Sequence, residues 1–167
     1  MGYGQANQTD REMMTLALAQ ARIGLESGGV PVGAVLAAGG QLVAAGHNER
    51  VQRGDPVAHG EIACLRNAGR RPSYADTTLY TTLSPCQMCT GAILLFQIPR
   101  VVVGEAETFE GDLGFLADRG VEIVHDELNI ASGKIPARLG FAEVTRRPIN
   151  PPSPEGTGTG VVWRLVR

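Results

Sequence analysis

The chain has 167 residues, with 15 Lys plus Arg against 17 Asp plus Glu and a net charge of -2. At roughly 100 to 200 residues per domain, this length fits one compact domain with at most a small appendage. A hydrophobic content of 43%, a charged content of 19% and a mean hydropathy of -0.02 exclude a wholly disordered or fibrous protein. The lack of a basic excess disfavours duplex or tRNA binding, because phosphate contacts dominate nucleic-acid affinity.

The apolar segments are too short to cross a bilayer. The longest aliphatic cluster, 92–96, falls far below the roughly 20 residues that a span needs. Residues 1–10 are polar and lack the basic start and apolar middle of a secretory signal, so we expect a cytoplasmic protein without a membrane partner. Two of the three cysteines are spaced C-x-x-C, which favours metal or redox chemistry over a secreted disulfide framework.

The first elements are a helix and a hairpin. Thr9 and Glu12 form a capping-box pattern, and the apolar repeat that follows predicts a helix that ends at Gly28. Short apolar runs over 32–36 and 41–45 predict two antiparallel strands. Residues 47–57 are polar and predict a loop.

The later elements alternate between helix and strand. In chain order they are a helix over 58–67, a strand over 77–83, a helix over 85–97, a strand over 100–104, a helix over 113–118 and a strand over 121–124. Helices between strands imply parallel pairing with helices on both faces of a sheet. The sequence therefore predicts an α/β fold, a three-layer α/β/α sandwich around a mixed five-stranded sheet.

Three residues with metal-binding side chains fall at the starts of two predicted helices. His59 opens one helix, while Cys86 and Cys89 lie one turn apart at the opening of the other, with both sulfurs on one face. The positive end of that helix lowers thiol pKa values and favours the thiolates that zinc requires. Three protein ligands leave one position open for water, which is typical of catalytic rather than structural zinc sites.

Glu61 lies two residues after His59, so the two side chains do not share a helix face. We therefore interpret Glu61 as a base beside the open zinc position and not as a fourth zinc ligand. His59-Gly60-Glu61 followed by Pro85-Cys86-Gln87-Met88-Cys89 matches the signature of zinc-dependent base deaminases. The alternative is a surface histidine, a solvated glutamate and a redox or structural cysteine pair. We interpret Cys64 as a small buried hydrophobe, and His47 and His125 as structural.

Longer segments extend this match: 28–33 (GGVPVG), 46–48 (GHN), 59–62 (HGEI), 76–91 (DTTLYTTLSPCQMCTG), 98–100 (IPR) and 102–105 (VVGE). Over roughly residues 10–124 the chain closely resembles fungal-type cytosine deaminase, a member of the cytidine deaminase superfamily. The same region is similar, less closely, to tRNA adenosine deaminases and bacterial guanine deaminases.

The resemblance implies a set of roles for individual residues. Zinc would bind His59, Cys86 and Cys89, with Glu61 as the proton shuttle. The substrate would be held by the Asn48 amide, the Gly60 and Cys86 backbone N–H groups, the Ser84 carbonyl, and apolar walls from Val32 and Phe109. The alternative for Val32 and Phe109 is core packing, and for Asn48 a turn residue. The resemblance also implies a homodimer, with 92–96 at the interface or in the core.

Residues 125–167 depart from this pattern, so we divide the chain into a deaminase core over 1–124 and a divergent tail over 125–167. The tail resembles the last helix and strands of GNAT-type acetyltransferases, but their glycine-rich acetyl-coenzyme A loop is absent and we do not predict acetyl transfer. We expect a helix over 129–139 and strands near 141–147 and 161–167, joined by a Pro/Gly-rich loop. The tail is expected to pack on the core or to be partly disordered.

The sequence thus predicts a zinc hydrolase that deaminates a free nucleobase, with cytosine to uracil plus ammonia as the leading reaction. Guanine, isocytosine or creatinine are alternative substrates, because the family's substrate-closing tail is not matched. Deamination of tRNA adenosine and a catalytically silent zinc module are the alternatives from other classes. The expected partner is a small-molecule base, with no nucleic acid.

Overall fold

The computed structural model describes residues 7–106, 108–109, 111–126, 141–148 and 159–165, with only the backbone for residues 125–126, 141–148 and 159–165. The helices are α1 (Gln8–Glu26), α2 (Arg50–Arg53), α3 (Gly60–Ala68), α4 (Gln87–Leu95) and α5 (Leu113–Asp118). The strands are β1 (Gly33–Ala38), β2 (Gln41–His47), β3 (Thr77–Leu83), β4 (Arg100–Glu105), β5 (Glu122–Asp126), β6 (Phe141–Pro148) and β7 (Thr159–Leu165).

The strands form one sheet in the order β2-β1-β3-β4-β5-β7-β6. β1 is antiparallel to both β2 and β3, whereas β3, β4 and β5 run parallel. These five strands are the mixed sheet that the sequence predicts, and the predicted α/β fold class is confirmed. β7 adds to β5 and β6 adds to β7, both in antiparallel pairing.

The sheet separates two apolar layers. On one face, Met13 and Ala17 of α1 pack in a cluster with Tyr80 and Val102. The larger cluster on the opposite face joins the sheet to α3, α4 and α5. α1 approaches β1 so closely that a Cβ at Gly33 would overlap the Ala17 carbonyl oxygen. The result is the predicted three-layer sandwich, with α3 and α4 side by side on one face.

The ends of several helices differ from the sequence-based prediction. α1 begins after Asn7 rather than Thr9, because the Asn7 side chain accepts from the Asp10 N–H at 3.0 Å and the Asp10 carboxylate accepts from the Asn7 N–H at 2.9 Å. α3 and α4 each begin two residues later than predicted. The predicted loop 47–57 contains α2, a single helical turn that ends at Gly54 with φ of 61°.

A buried ion pair joins α1 to the sheet. The Arg100 guanidinium donates two hydrogen bonds to the Asp10 carboxylate, at 2.7 and 2.9 Å, and the Tyr80 hydroxyl donates a third at 2.8 Å. Burial alone would lower the pKa of Arg100, but the hydrogen bonds and charge of Asp10 raise it above its ordinary value. Arg100 therefore remains charged, and its interaction with Asp10 holds the start of α1 against β3 and β4.

The tail is described only in part. β6 and β7 lie where two strands are predicted near 141–147 and 161–167, whereas the predicted helix over 129–139 lies outside the described residues. The division at residue 125 remains a prediction. Among the described helices, none combines the length and apolar character that crossing a bilayer requires.

Candidate metal and substrate site

Three side chains from two neighbouring helices place their donor atoms in a small triangle. His59 Nδ1 lies 3.5 Å from Cys86 Sγ and 3.7 Å from Cys89 Sγ, and the two sulfurs are 3.6 Å apart. Within the described residues, these three form a group whose spacing suits a shared metal ion. The structure therefore brings together the three predicted ligands, although His59 and Cys86 are 27 residues apart in the sequence.

The triangle has the dimensions of one face of a tetrahedral zinc site. With zinc–sulfur bonds of about 2.3 Å and zinc–nitrogen bonds of about 2.05 Å, tetrahedral angles place two sulfurs about 3.8 Å apart and sulfur and nitrogen about 3.6 Å apart. The observed separations agree with both values to within about 0.2 Å, the tolerance expected of a metal site. Two thiols and an imidazole also suit zinc chemically.

The sequence places these donors at the first turns of α3 and α4. His59 is the N-cap of α3 and Cys86 is the N-cap of α4, and neither side chain makes the hydrogen bond that a capping residue usually makes. Ser, Thr, Asp or Asn would stabilise these positions better, typically by about 1 kcal/mol. Both helices are therefore less stable at their N-termini than they would be with a good capping residue, and the residues found there can bind a metal instead.

Glu61 lies in the first turn of α3 and is only 3% exposed. Burial raises the pKa of its carboxyl above the ordinary value, although hydrogen bonds involving its own backbone, Cys89 and Thr81 act in the opposite direction. A carboxyl group whose pKa is raised suits a residue that both takes and gives a proton. Glu61 lies two residues after His59, and it and Cys89 each affect the pKa of the other, which places it near the three donors.

The electrostatics of the donors differ between the two helices. Burial, and then the charge of Arg50, lowers the pKa of His59 and favours the neutral imidazole that binds metals. Burial raises the pKa of the Cys89 thiol, and the charges of Glu61 and Cys86 raise it further. In the metal-free chain, burial thus acts on Cys89 in the direction opposite to the lowering expected from the helix end. Coordination reverses the preference, since a coordinating thiol loses its proton.

Asn48 follows β2 and is almost fully buried. Its backbone N–H donates to the Val32 carbonyl at 2.8 Å, and its side-chain oxygen accepts from the Arg50 N–H at 3.2 Å. The oxygen is thereby engaged, and the side-chain NH2 is the group left to recognise a ligand. Such an amide selects for an acceptor, for example a ring carbonyl oxygen.

The other predicted substrate residues lie on the segments that flank the donors. Gly60 and Cys86 stand at helix starts, where N–H groups have no acceptor within the helix. Ser84 follows β3 and is buried, while Gly111 packs against its hydroxyl with φ of 64°. Val32 is buried next to Gly60, and Phe109 is 44% exposed in the segment between β4 and α5. Phe109 is thus available to a ligand, whereas Val32 packs on the start of α3.

Two residues near the site carry no motif and were missed by sequence reasoning. Thr81, fully buried on β3, acts on Glu61 from the sheet and opposes the rise in the pKa of its carboxyl. Gln52 on α2 donates to the Gly24 carbonyl at 3.1 Å and to the Ser27 hydroxyl at 2.9 Å, and so anchors the segment after Asn48 to the end of α1. Neither role has a local sequence signal, because each links elements that are distant along the chain.

Cys64 provides a matched control for the metal ligands. It is fully buried in α3, where burial raises its pKa to about 12, and its thiol faces the Ala44 carbonyl at 3.5 Å. We expect Cys89→Ala to weaken zinc binding by at least about 100-fold and Cys64→Ala to leave it unchanged. Metal analysis after zinc loading and dialysis measures both. Equal zinc content in the two variants would contradict the assignment of Cys89.

Comparisons with known proteins agree with this geometry. A family profile described as the cytidine and deoxycytidylate deaminase zinc-binding region matches residues 7–105. A cytosine deaminase from Candida albicans is 45% identical over 119 residues, which cover 70% of this chain and 79% of that protein. A tRNA-specific adenosine deaminase from Buchnera aphidicola is 43% identical over 98 residues, 57% of this chain and 65% of that protein.

A solved structure of guanine deaminase from Bacillus subtilis superposes with a TM-score of 0.55 at 31% identity, covering 63% of this chain and 73% of that one. The profile ends at residue 105, so the acetyltransferase-like ending of residues 125–167 rests on the sequence alone. The profile spans more than half of the chain and includes every donor of the triangle. The chain belongs to the cytidine and deoxycytidylate deaminase family.

Proposed function

We propose that the protein is a zinc-dependent hydrolase that converts cytosine and water to uracil and ammonia. The observation that carries this proposal is the assembled site: a three-donor triangle, with the buried carboxyl group of Glu61 in the first turn of the helix that His59 begins. The 45% identity to a cytosine deaminase supports the choice of base. A cytoplasmic location and a role in pyrimidine salvage belong to the same proposal.

Glu61 and Asn48 have different roles in the proposed reaction. Zinc, when bound, lowers the pKa of water and so supplies hydroxide at neutral pH. Glu61 accepts one proton of the attacking water and passes it to the ring nitrogen next to the amine-bearing carbon. It then takes the second proton, from the hydroxyl group newly formed on that carbon, and gives it to the amine, which leaves as ammonia when the carbon–nitrogen bond breaks. Asn48 donates to the ring carbonyl oxygen, because its own oxygen is already engaged by Arg50.

The pocket walls orient the base in this proposal. The Ser84 carbonyl accepts from the exocyclic amine, and the N–H groups at Gly60 and Cys86 face the reacting edge of the ring. In this proposal Phe109 provides an apolar surface for one face of the base, and the small exposed part of Val32, beside Gly60, provides one for the other face. Positioning of this kind accounts for a large share of a rate enhancement, because it removes the entropic cost of bringing the groups together.

The substrate is tested by ammonia release from the zinc-loaded protein with cytosine, 5-methylcytosine, isocytosine, guanine, adenine, creatinine and cytidine. We expect turnover of cytosine. Turnover of guanine with none of cytosine would replace cytosine by the guanine alternative, which the structural similarity to guanine deaminase favours. A lack of ammonia release from every compound would contradict the proposal that the substrate is a free base.

The 43% identity to a tRNA-specific adenosine deaminase favours a second candidate. The net charge of -2 argues against it, because tRNA binding draws on positively charged surface. Incubation with tRNA, followed by analysis for inosine, distinguishes the two. Inosine formation together with salt-sensitive tRNA binding would support the nucleic-acid enzyme, and turnover of any substrate excludes a silent zinc module.

We also propose that the chain forms a homodimer through the outer face of α4. Leu95 is 75% exposed there, beside the partly exposed Met88 and Phe96. Gly91, between Met88 and Leu95 on the helix, has nothing within 4 Å of the position that a Cβ would occupy. An exposed apolar face with a small residue at its centre suits close packing of a second helix.

We expect Leu95→Asp to convert the dimer to a monomer, because a charge buried in an apolar interface loses its hydration. Leu42→Asp on β2 is the control, since Leu42 is 51% exposed on a different surface. Sedimentation equilibrium measures both. A wild-type monomer, or a dimer that survives Leu95→Asp, would contradict this interface.

A further inference from the structure

The short helix α2 follows Asn48 and has no buried residue of its own. Its N-cap, Glu49, makes no side-chain capping hydrogen bond. A single helical turn is unstable by itself, because ordering it fixes several backbone dihedrals for very few hydrogen bonds. Contacts with other parts of the protein must therefore hold this turn in place.

Gln52 provides such a contact from the middle of the turn. Its side-chain NH2 group donates to the Gly24 carbonyl at 3.1 Å and to the Ser27 hydroxyl at 2.9 Å, both at the C-terminal end of α1. A Cβ at Gly29 would overlap the Gln52 amide, so the amide occupies space that a side chain at position 29 would fill. Gln52 thus ties α2 to the segment 24–29.

The Asn48 amide depends on both the end of this segment and the start of α2. The chain continues from residue 29 to Val32, whose carbonyl accepts from the Asn48 backbone N–H at 2.8 Å. The Asn48 side-chain oxygen accepts from the backbone N–H of Arg50, the first residue of α2, at 3.2 Å. The last torsion of an Asn side chain is broad and roughly two-fold, so a donor is needed to fix which side the oxygen takes. The Arg50 N–H is that donor, and its place depends on how α2 is held.

We infer that Gln52 is a positioning residue, which holds the Arg50 N–H against the Asn48 oxygen and so keeps the Asn48 NH2 group turned towards the substrate. This inference rests on the proposed function, in which that NH2 group donates to the ring carbonyl oxygen. A contact to an atom away from the reacting carbon holds substrate and transition state about equally. Its loss therefore raises KM and leaves kcat unchanged.

Two substitutions remove the anchor in different ways. Gln52→Met keeps the length of the side chain but has no donor. Gly29→Ala keeps Gln52 but displaces its amide, and Gly29 does not have a positive φ, so Ala does not strain the backbone. Val51→Ala is the matched control, since Val51 lies on the same turn and is 63% exposed. Metal content and thermal unfolding are measured for each variant, so that a folding defect is recognised.

We expect Gln52→Met and Gly29→Ala each to raise the KM of the zinc-loaded protein for its best substrate by about 5- to 10-fold, with kcat within about two-fold of wild type. This is the effect of losing about one hydrogen bond. Val51→Ala should match wild type. A wild-type KM in Gln52→Met, or an equal rise in Val51→Ala, would overturn the inference. A lower unfolding temperature with an unchanged KM would show that Gln52 only stabilises the end of α1.

Amide hydrogen exchange in the zinc-loaded protein without substrate gives a readout that does not depend on turnover. The Arg50 N–H should exchange at least about 10-fold faster in Gln52→Met and Gly29→Ala than in wild type and Val51→Ala, because α2 no longer holds it against its acceptor. Unchanged exchange at Arg50 would refute the positioning role whatever the kinetics. If wild type deaminates nothing while this exchange rises only in the two anchor variants, the proposed function fails and the positioning role stands.

Discussion

Glu61→Gln should keep about one zinc per chain while lowering kcat by about 10⁴-fold, the upper end of what general acid–base catalysis contributes. The amide has the shape of the carboxyl group but cannot take up or return a proton. Glu61 does not belong to the donor triangle, so metal binding should survive. Metal analysis and ammonia release from the best substrate measure the two effects.

The same variant should not be less stable than wild type. Glu61 is nearly fully buried and its pKa is raised, so the charged carboxylate is costly to bury and a neutral amide is less so. Glu26→Gln, at the exposed end of α1, is the control and should match wild type in all respects. Wild-type turnover in Glu61→Gln would show that Glu61 is not the shuttle, and loss of zinc would place it among the ligands.

The largest effect on stability is expected for Asp10→Ala, which should lower the free energy of unfolding by about 3–5 kcal/mol. The Asp10 side chain is 3% exposed and that of Arg100 is 16% exposed, so the substitution removes the nearer of the two carboxylates that a buried guanidinium contacts in the described part of the chain and leaves only Glu122, at 3.6 Å. It also removes the acceptor of the Tyr80 hydroxyl and half of the α1 capping box. Urea unfolding measures the change.

Asp76→Ala is the matched control for this prediction. Asp76 pairs with Arg71 at 3.6 Å, but its side chain is 62% exposed. Exposed pairs contribute less than about 1 kcal/mol, because water and salt screen them. Similar losses in the two variants would mean that burial does not set the strength of the Asp10–Arg100 pair.

Local sequence patterns predicted much of the fold because they depend on neighbouring residues. The spacing of apolar residues and the positions of Gly and Pro located the five core strands, and β3 and α5 begin and end where predicted. The ends of α3 and α4 were less predictable. Their N-caps are His59 and Cys86, which are poor capping residues, so the usual start signals are missing.

The site shows the same division between local and distant information. The metal-ligand set was predictable because each half is a short motif. The Asp10–Arg100 pair was not, because its members are 90 residues apart and neither has a distinctive neighbour. Thr81 was missed for a related reason, since a Thr in a strand is ordinary until the structure shows it fully buried.

The hairpin of β6 and β7 changes which strand ends the sheet. Because β7 pairs with β5, the last described strand on that side is β6. A terminal strand exposes unpaired backbone groups and invites intermolecular cross-β growth. β6 ends at Pro148, and a proline has no N–H to offer to a further strand. Within the described residues, β5, the last of the parallel strands, is therefore covered on both sides by neighbouring strands, and its backbone groups are not left open to a second copy of the chain.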